Sequence, residues 1–524
     1  MKLLGRGAVI STLITLVALS TLTSGAVFGS STARSVTPSI RHSGTLNIVS
    51  PAIAGSTFNP YAAQQTTMNL PNLIPFEALF TYNAAGKEVP QLATSYQWSP
   101  NRLQLKINLR QGVTFQDGTP FNAHAVAYDF EYSQNPAIGG ADGCGPYFAN
   151  VTSFVAAAPY QVQVNFSTPY SPFISILGGE LCTLIASPTA LQSEGTVGFG
   201  KAPVGTGPYQ YSSGVLGSSV TFTRFAKYWQ KGEPYFNQVT ITAVGSDTAC
   251  IAAVQSGTAQ ICTNANAADV ASVKHVRNIK IESNSAPNID SIRMNLGAAP
   301  FNNIWARKAL AQAVNAEALS KGLYDGLYTP TQNYETPACF CFTGNKVHGY
   351  PQYNSTLVKQ DLSHLPGGTL SFTLLTQNTP AYITEYEAVQ AQLATVGITM
   401  TIDPLTETAV LALVHAHNFQ AQDSGLASFP DPDALYYKSF DSKSTGNSTG
   451  LSDPKFDQLV EEARQIVNPA DRKKLYAEAQ ERLALDLPQV ALWALPQYYI
   501  VSTKIQGFLG FGQGGINTAG VYLS

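Results

Sequence analysis

The chain predicts an α/β fold divided into several lobes, on three observations. Its 524 residues exceed what one hydrophobic core organises, so two or three lobes are expected. Period-two alternation recurs, with Leu103, Leu105, Ile107 and Leu109 set against Gln104, Lys106 and Asn108, and again at Tyr160, Val162, Val164 and Phe166; this is the pattern of a strand with one buried face. Helical stripes lie further along, at Ala306, Leu310, Ala313 and Val314 and at Phe456, Leu459, Val460, Ala463 and Val467. Apolar residues make up 44% of the chain and support a folded globule, while charged residues are only 12%, about half the usual share. The net charge of −3 gives no electrostatic footprint for a nucleic-acid partner.

In chain order, Lys2 and Arg6 precede an uncharged, mostly apolar run from Ala8 to Leu22, and Ser24-Gly25-Ala26 supplies small residues at a cleavage position. Residues 1–26 read as a secretory signal peptide, with a retained membrane anchor as the other reading. Cleavage after Ala26 removes two positive charges and takes the net charge from −3 to −5. Gly44 to Val49 is the first strand. Leu103–Leu109 is a strand broken at Arg110-Gln111-Gly112; Val113 and Phe115 resume it, Asp117-Gly118 turns it, and a helix follows Asn122, an N-cap residue. Pro172-Phe173 opens a helix, Val220 and Phe222 lie on a strand, and Ala249 to Gly257 is a helix followed by a strand at Gln260-Ile261. Asn302 or Asn303 caps a helix in which Arg307 reads as a solvated or locally paired charge. Glu387–Leu393 is helical, Gly397 stops it, and Ile398–Ile402 is a strand. Asp453-Pro454 opens a further helix, Asp471 to Leu485 forms the next, and Pro488 to Trp493 leads out to the last segment.

Three strings carry more than local structure: Leu-Arg-Gln-Gly-Val-Thr-Phe-Gln-Asp-Gly-Thr-Pro-Phe-Asn-Ala from Leu109, Pro-Val-Gly-Thr-Gly-Pro-Tyr from Pro203, and Met-Asn … Pro-Phe-Asn-Asn … Ala-Arg-Lys-Ala-Leu-Ala-Gln-Ala from Met294 to Ala313. Together they resemble the family 5 extracellular solute-binding proteins of ABC importers, which include the dipeptide, oligopeptide and nickel receptors. The glycines after Pro203 do not make a phosphate loop, which needs a following Lys-Ser/Thr and a helix; Pro208 and a strand follow instead. The resemblance implies a two-lobed periplasmic-binding-protein-like fold of class II type with an extra third α/β lobe. Lobe I would comprise 44–86, 196–290 and 491–524, the extra lobe 87–195, and the remaining lobe 291–490. It also implies ligand capture between lobes by a monomer, delivery to a membrane permease, an extracytoplasmic location, no cofactor and no catalysis. A sensory receptor on the same scaffold is an alternative. A secreted hydrolase is a third, but no nucleophile-elbow, His-Glu-x-x-His or phosphate-loop motif supports it.

Six cysteines outside the cytosol suggest disulfides. The sequence does not fix their connectivity, since six cysteines allow 15 pairings; shared lobe membership suggests Cys144 with Cys182 and Cys250 with Cys262, while Cys339 and Cys341 either close on each other with strain or stay free. No cysteine precedes Cys144, so a lipid-anchoring cysteine directly after the signal is absent. His415-Ala416-His417 stands alone, and no structural metal is expected.

In the resembled family, a loop of the form Trp-x-x-Asp-x-x-Asp-Pro holds a peptide's α-ammonium through its first aspartate. Aligned on Asp431-Pro432, this chain has Ser428 at that position and Gly425 at the aromatic one. A hydroxyl does not neutralise a buried ammonium. Asp423 could replace the anchor if the loop shifted, and Asp431 reads as a cap for the helix starting near Pro432. The expectation is therefore a neutral ligand, an oligosaccharide or an uncharged peptide-like compound. Tyr61, Gln64, Asn333, Tyr334, Ser428, Phe429 and Trp493 are the candidate contacts; each of the aromatics is equally at home in a core.

Overall fold

The computed structural model describes residues 44–53, 57–62, 70–83, 87–139, 144–179, 181–284, 288–511 and 515–524; the expected signal peptide and Gln64 lie outside these residues. Three sheets organise the described chain. A seven-stranded sheet runs in the order Tyr209–Val215, Ser219–Arg224, Gln238–Ala243, Thr45–Ser50, Ile261–Ala265, Tyr498–Ser502, Ile279–Ser283. The first strand of the chain pairs parallel to Gln238–Ala243 and to Ile261–Ala265. Alternation divides the sheet between two cores: Ile48, Tyr499 and Val501 pack on one face, and Val49, Tyr498 and Ile500 on the other.

A six-stranded sheet runs Thr329–Pro330, Gln489–Leu495, Asn288–Met294, Ala421–Ala427, Leu370–Gln377, Ile398–Leu405. It too separates two cores, one holding Ile292, Leu374 and Trp493 and the other Ile289, Leu426 and Ala491. Asn288 is paired with both Ala427 and Leu495, so these three residues mark one end of the sheet. At that end the chain crosses from Ser283 to Asn288 and from Leu495 to Tyr498, linking the two sheets. The expected boundary at 490/491 falls inside the strand Gln489–Leu495, which pairs in the six-stranded sheet along its length. That strand is buried on both faces, so no polar break in the sequence marks its extent.

The third sheet is four-stranded and antiparallel, with Ala93–Trp98, Gln104–Leu109, Gln161–Phe166 and Val151–Ala158 in that order. Leu105, Ile107 and Leu109 are buried, while Gln104 and Lys106 are exposed. Helix Ala123–Ser133 packs on its inner face, with Asn122 accepting from the Ala125 N–H at 3.1 Å.

The two most distinctive strings meet in space. The Gln116 amide donates to the carbonyls of Pro75, Gly207 and Tyr209, each at 3.1 Å, and its carbonyl accepts from Gly205 N–H at 2.9 Å. At Gly205 and Gly207 an added Cβ would lie 2.2 Å from the Pro75 carbonyl oxygen and 2.5 Å from that of Ile74. These glycines serve close backbone approach, as the sequence reading without a phosphate loop requires. Beside them the buried Glu77 accepts from Thr206 Oγ1 at 2.9 Å, Tyr228 OH at 2.8 Å and Trp229 Nε1 at 2.9 Å, and Arg110 lies 4.1 Å over the Trp229 ring.

Burial lifts Glu77 to about 7 against these donors, and burial likewise takes Glu88 and Glu385 to about 7. An acid whose folded pKa is raised binds protons more tightly when native than when unfolded. Its stabilisation is complete below the unfolded value near 4.5 and is lost as pH rises through 7. The melting temperature is therefore expected to fall between about pH 5 and about pH 7.5. Glu77→Gln should flatten that slope; a melting curve equally steep in both proteins would contradict the assignment.

The expected helices are present as Asp247–Ser256 with Gly257 closing it in the left-handed region, Ile304–Ala313 capped by Asn303, Pro380–Thr395, Pro454–Gln465 capped by Asp453, and Pro469–Asp486. Arg307 differs from expectation. It is buried and donates to the carbonyls of Asp486 at 2.7 Å and Phe301 at 2.6 Å, so its role is to tie a helix end to a loop. Disulfides join Cys144 to Cys182, Cys250 to Cys262 and Cys339 to Cys341. Among the described residues, no helix is long and apolar enough to cross a membrane.

Candidate functional site

The strand Ala421–Ala427 ends beside the two crossing segments, and its next residues, 428–432, form a loop leading into helix Asp433–Phe440. Charge fixes this loop. Asp431 takes Arg472 in a two-pronged pair, Nη1 to Oδ2 at 2.5 Å and Nη2 to Oδ1 at 2.8 Å, with both side chains buried. Asp431 also accepts from Asp433 N–H at 3.1 Å. The expected capping role is thus the minor one, because a buried carboxylate is held first by the nearest cation. Asp433 lies 3.0 Å from Arg464, whose guanidinium stacks 3.5 Å from the Tyr437 ring centroid. Burial raises Asp433 to about 6, with Arg464 opposing.

The extra lobe touches this same surface. Tyr170 OH donates to Asp433 at 3.2 Å, Ser171 N–H donates to the Arg464 carbonyl at 2.8 Å, and Arg102 donates to the Gln465 carbonyl at 2.8 Å. Glu88, on the hairpin Phe80–Tyr82/Glu88–Pro90, feels the charge of Asp431.

Ser428 is buried and donates from Oγ to Glu335 Oε2 at 2.7 Å, while accepting from Thr336 N–H at 3.2 Å. Glu335 is 1% exposed, and burial pushes its carboxyl well above the usual range. Its other oxygen, Oε1, has no hydrogen-bond partner among the described residues. The loop bearing it is pinned by the Cys339–Cys341 disulfide and by Phe340 N–H donating to the Pro430 carbonyl at 3.1 Å. The Sγ atoms of both cysteines and a Glu335 oxygen lie within 4.8 Å of one another; with the sulfurs bonded together, the set offers a single carboxylate and not a thiolate pair.

The other expected contacts disperse. Phe429 is half-buried beside Ser428. Tyr61 is fully buried, donates to the Leu184 carbonyl at 2.7 Å and packs edge-on to Tyr132. Tyr334 donates to the Gln489 carbonyl at 2.5 Å within a core. Asn333 is a loop staple, donating to the Gly344 carbonyl at 2.9 Å and accepting from Glu335 N–H at 2.8 Å and from Gln480. Trp493 is wholly buried between Tyr324 and Tyr328. Tyr61, Tyr334 and Trp493 therefore pack cores in this structure, since large aromatics bury the most area. Asp423 does not reach the loop: it accepts from Thr376 Oγ1 at 2.8 Å and Gln377 N–H at 3.0 Å inside the sheet. Glu335 went unnoticed in the sequence because it lies 93 residues before Ser428 and belongs to no motif.

The model of the bacterial extracellular solute-binding proteins, family 5, matches residues 87–447, more than half of the chain. The chain belongs to this family. As a family 5 solute-binding protein it is an extracytoplasmic receptor of the kind that serves ABC importers, and it binds solute without transforming it. The glutathione-binding protein of Escherichia coli (strain K12) is 27% identical to this receptor over 468 residues, 86% of this chain and 90% of that protein. Two solved structures share the fold. One is an ABC transporter-associated periplasmic binding protein of Helicobacter pylori with the peptide STSA, with a TM-score of 0.78, 22% identity and coverage of 92% of this chain and 98% of that chain. The other is a dipeptide-binding protein of Pseudoalteromonas sp. SM9913 with Met-Leu, with a TM-score of 0.77, 20% identity and coverage of 92% and 100%. The two-lobed α/β architecture is shared with these structures.

Proposed function

We propose that this receptor captures a short peptide-like ligand between a lobe built on the seven-stranded sheet (44–86, 196–290 and 496–524) and a lobe built on the six-stranded sheet (291–495). The extra lobe, 87–195, completes the wall. The receptor works as a monomer, is exported by a signal peptide cleaved after Ala26, and delivers its cargo to a membrane permease. The single observation carrying this reading is that the 428–432 loop leaves the six-stranded sheet at the end where the chain crosses between sheets and leads into a helix whose first residue, Asp433, meets Tyr170 of the extra lobe. The peptide class is supported by the cargo of the similar proteins, glutathione, STSA and Met-Leu, and by a buried acid beside Ser428. That acid weighs against a neutral sugar as the cargo.

A thermal-shift screen of the mature protein against pooled di- to tetrapeptides, oligosaccharides and nickel salts tests the cargo class. A ligand at about 100 times its Kd adds roughly 2.7 kcal/mol, a shift of a few degrees. The peptide pool is expected to produce it, and Phe429→Ala to diminish it. A shift with oligosaccharides and none with peptides overturns the reading.

A further inference from the structure

We propose that Arg102, Tyr170 and Ser171 of the extra lobe form a clasp that closes over the end of helix Pro454–Gln465 and holds the two main lobes together. The assignment rests on the lobe division proposed above, but its test needs no cargo. It starts from two unlike interfaces of the extra lobe. Towards the lobe of the seven-stranded sheet the joint is continuous: Glu77–Ala78 pairs with Leu184–Ile185 as strands, Gln116 bonds four backbone groups across it, and Tyr61, Phe76, Leu181 and Phe199 share one core. Towards the lobe of the six-stranded sheet, no hydrophobic core among the described residues holds members from both sides. The extra lobe therefore travels with the seven-stranded sheet, and its second interface is the one that parts when the lobes separate.

That second interface is polar and serves a helix end. The last carbonyls of a helix have no partner within it. Here Ser171 N–H donates to the Arg464 carbonyl at 2.8 Å and Ser171 Oγ to the same oxygen at 3.0 Å, while Arg102 Nη1 donates to the Gln465 carbonyl at 2.8 Å. Arg102 also brings positive charge to the negative end of the helix dipole. Beside them the Arg464 guanidinium lies 3.5 Å over the Tyr437 ring and 5.0 Å over the Tyr170 ring, and Tyr170 OH donates to Asp433 at 3.2 Å. Arg102 stands in the turn between strands Ala93–Trp98 and Gln104–Leu109 with a φ of 60°, a left-handed position that glycine fills more easily. An arginine there accepts backbone strain, and the reach of its guanidinium across the interface is what that strain supports. Water satisfies each of these polar groups once the lobes part, so the contacts hold the closed form without locking it; an apolar interface would resist opening.

The test is double electron–electron resonance on the mature protein, with nitroxides on Glu131→Cys of the extra lobe and Lys455→Cys of the lobe of the six-stranded sheet, both exposed positions. The six native cysteines are paired, which leaves the introduced thiols for labelling. With the clasp intact and no ligand added, one distance should dominate. Arg102→Gly and Tyr170→Phe should each raise the proportion of a longer distance about 3–10-fold, the effect of one hydrogen bond, and the two together should raise it further. Glycine suits the left-handed backbone, and phenylalanine keeps the Tyr170 ring in its core. Arg102→Gly should therefore melt no lower than wild type while its lobes part more often, a combination that a merely structural role does not produce. A distance distribution unchanged in both variants, or a longer distance already dominant with the clasp intact, overturns the assignment. If Tyr170→Phe fails to fold, Arg102→Gly is read alone by the same criterion. If no peptide shifts the melting temperature, the cargo reading fails and the clasp is still decided by the distances.

Discussion

Arg472→Ala is expected to lower the unfolding free energy by about 3–5 kcal/mol, the usual cost of removing one partner of a buried ion pair. The cost arises on the other side of the pair. Asp431 is 4% exposed and accepts both Arg472 donors. With the guanidinium gone it would have Asp433 N–H as its remaining donor among the contacts described here, with the acids Asp433 and Glu335 nearby. Arg472 also bonds the Ala463 carbonyl at 3.0 Å and Tyr476 OH at 3.3 Å, so the variant unties helix Pro469–Asp486 from helix Pro454–Gln465 and from the loop. Urea denaturation should show a lower midpoint with an unchanged slope. The double variant Arg472→Met/Asp431→Asn should recover much of the loss, because an uncharged pair leaves no stranded charge. A single variant as stable as wild type would mean that the pair does not organise the loop.

Replacing Cys144 and Cys182 by alanine is expected to cost about 4 kcal/mol, and replacing Cys250 and Cys262 about 3 kcal/mol, on loop-closure entropy. The ordering follows from the separations, 38 residues against 12. The longer link ties the segment preceding the 3-10 turn Gly145–Phe148 to the turn Leu181–Thr183 inside the core of the extra lobe. Its loss should therefore loosen that lobe first. Limited proteolysis should cut within the extra lobe of the Cys144/Cys182 variant at temperatures where wild type resists, while the Cys250/Cys262 variant is cut less readily there. Equal resistance of both variants would show that chain entropy is not what these links supply.

Much of the fold was legible because burial is periodic. Leu105, Ile107 and Leu109 alternate in sequence and are buried in the structure, and Asn122, Asn303 and Asp453 cap the helices their positions suggest. The extent of the strand Gln489–Leu495 was not legible, since it is buried on both faces and reads as one apolar run. The candidate contacts fall in different places. Ser428 and Phe429 lie on the loop between strand Ala421–Ala427 and helix Asp433–Phe440, while Trp493, Tyr61 and Tyr334 are buried in cores, and a sequence does not separate the two because large aromatics suit cores and ligands equally. Arg307, Arg472 and Glu335 share one difficulty: their partners lie 179, 41 and 93 residues away. A local window makes each look like an ordinary surface charge.

The most direct measurement is a crystal structure of the mature protein grown with its tightest-binding peptide. Density for the peptide is expected between the two main sheets, beside the loop 428–432 that leads into helix Asp433–Phe440. A peptide bound on the outer surface, away from the 428–432 loop, would contradict the account.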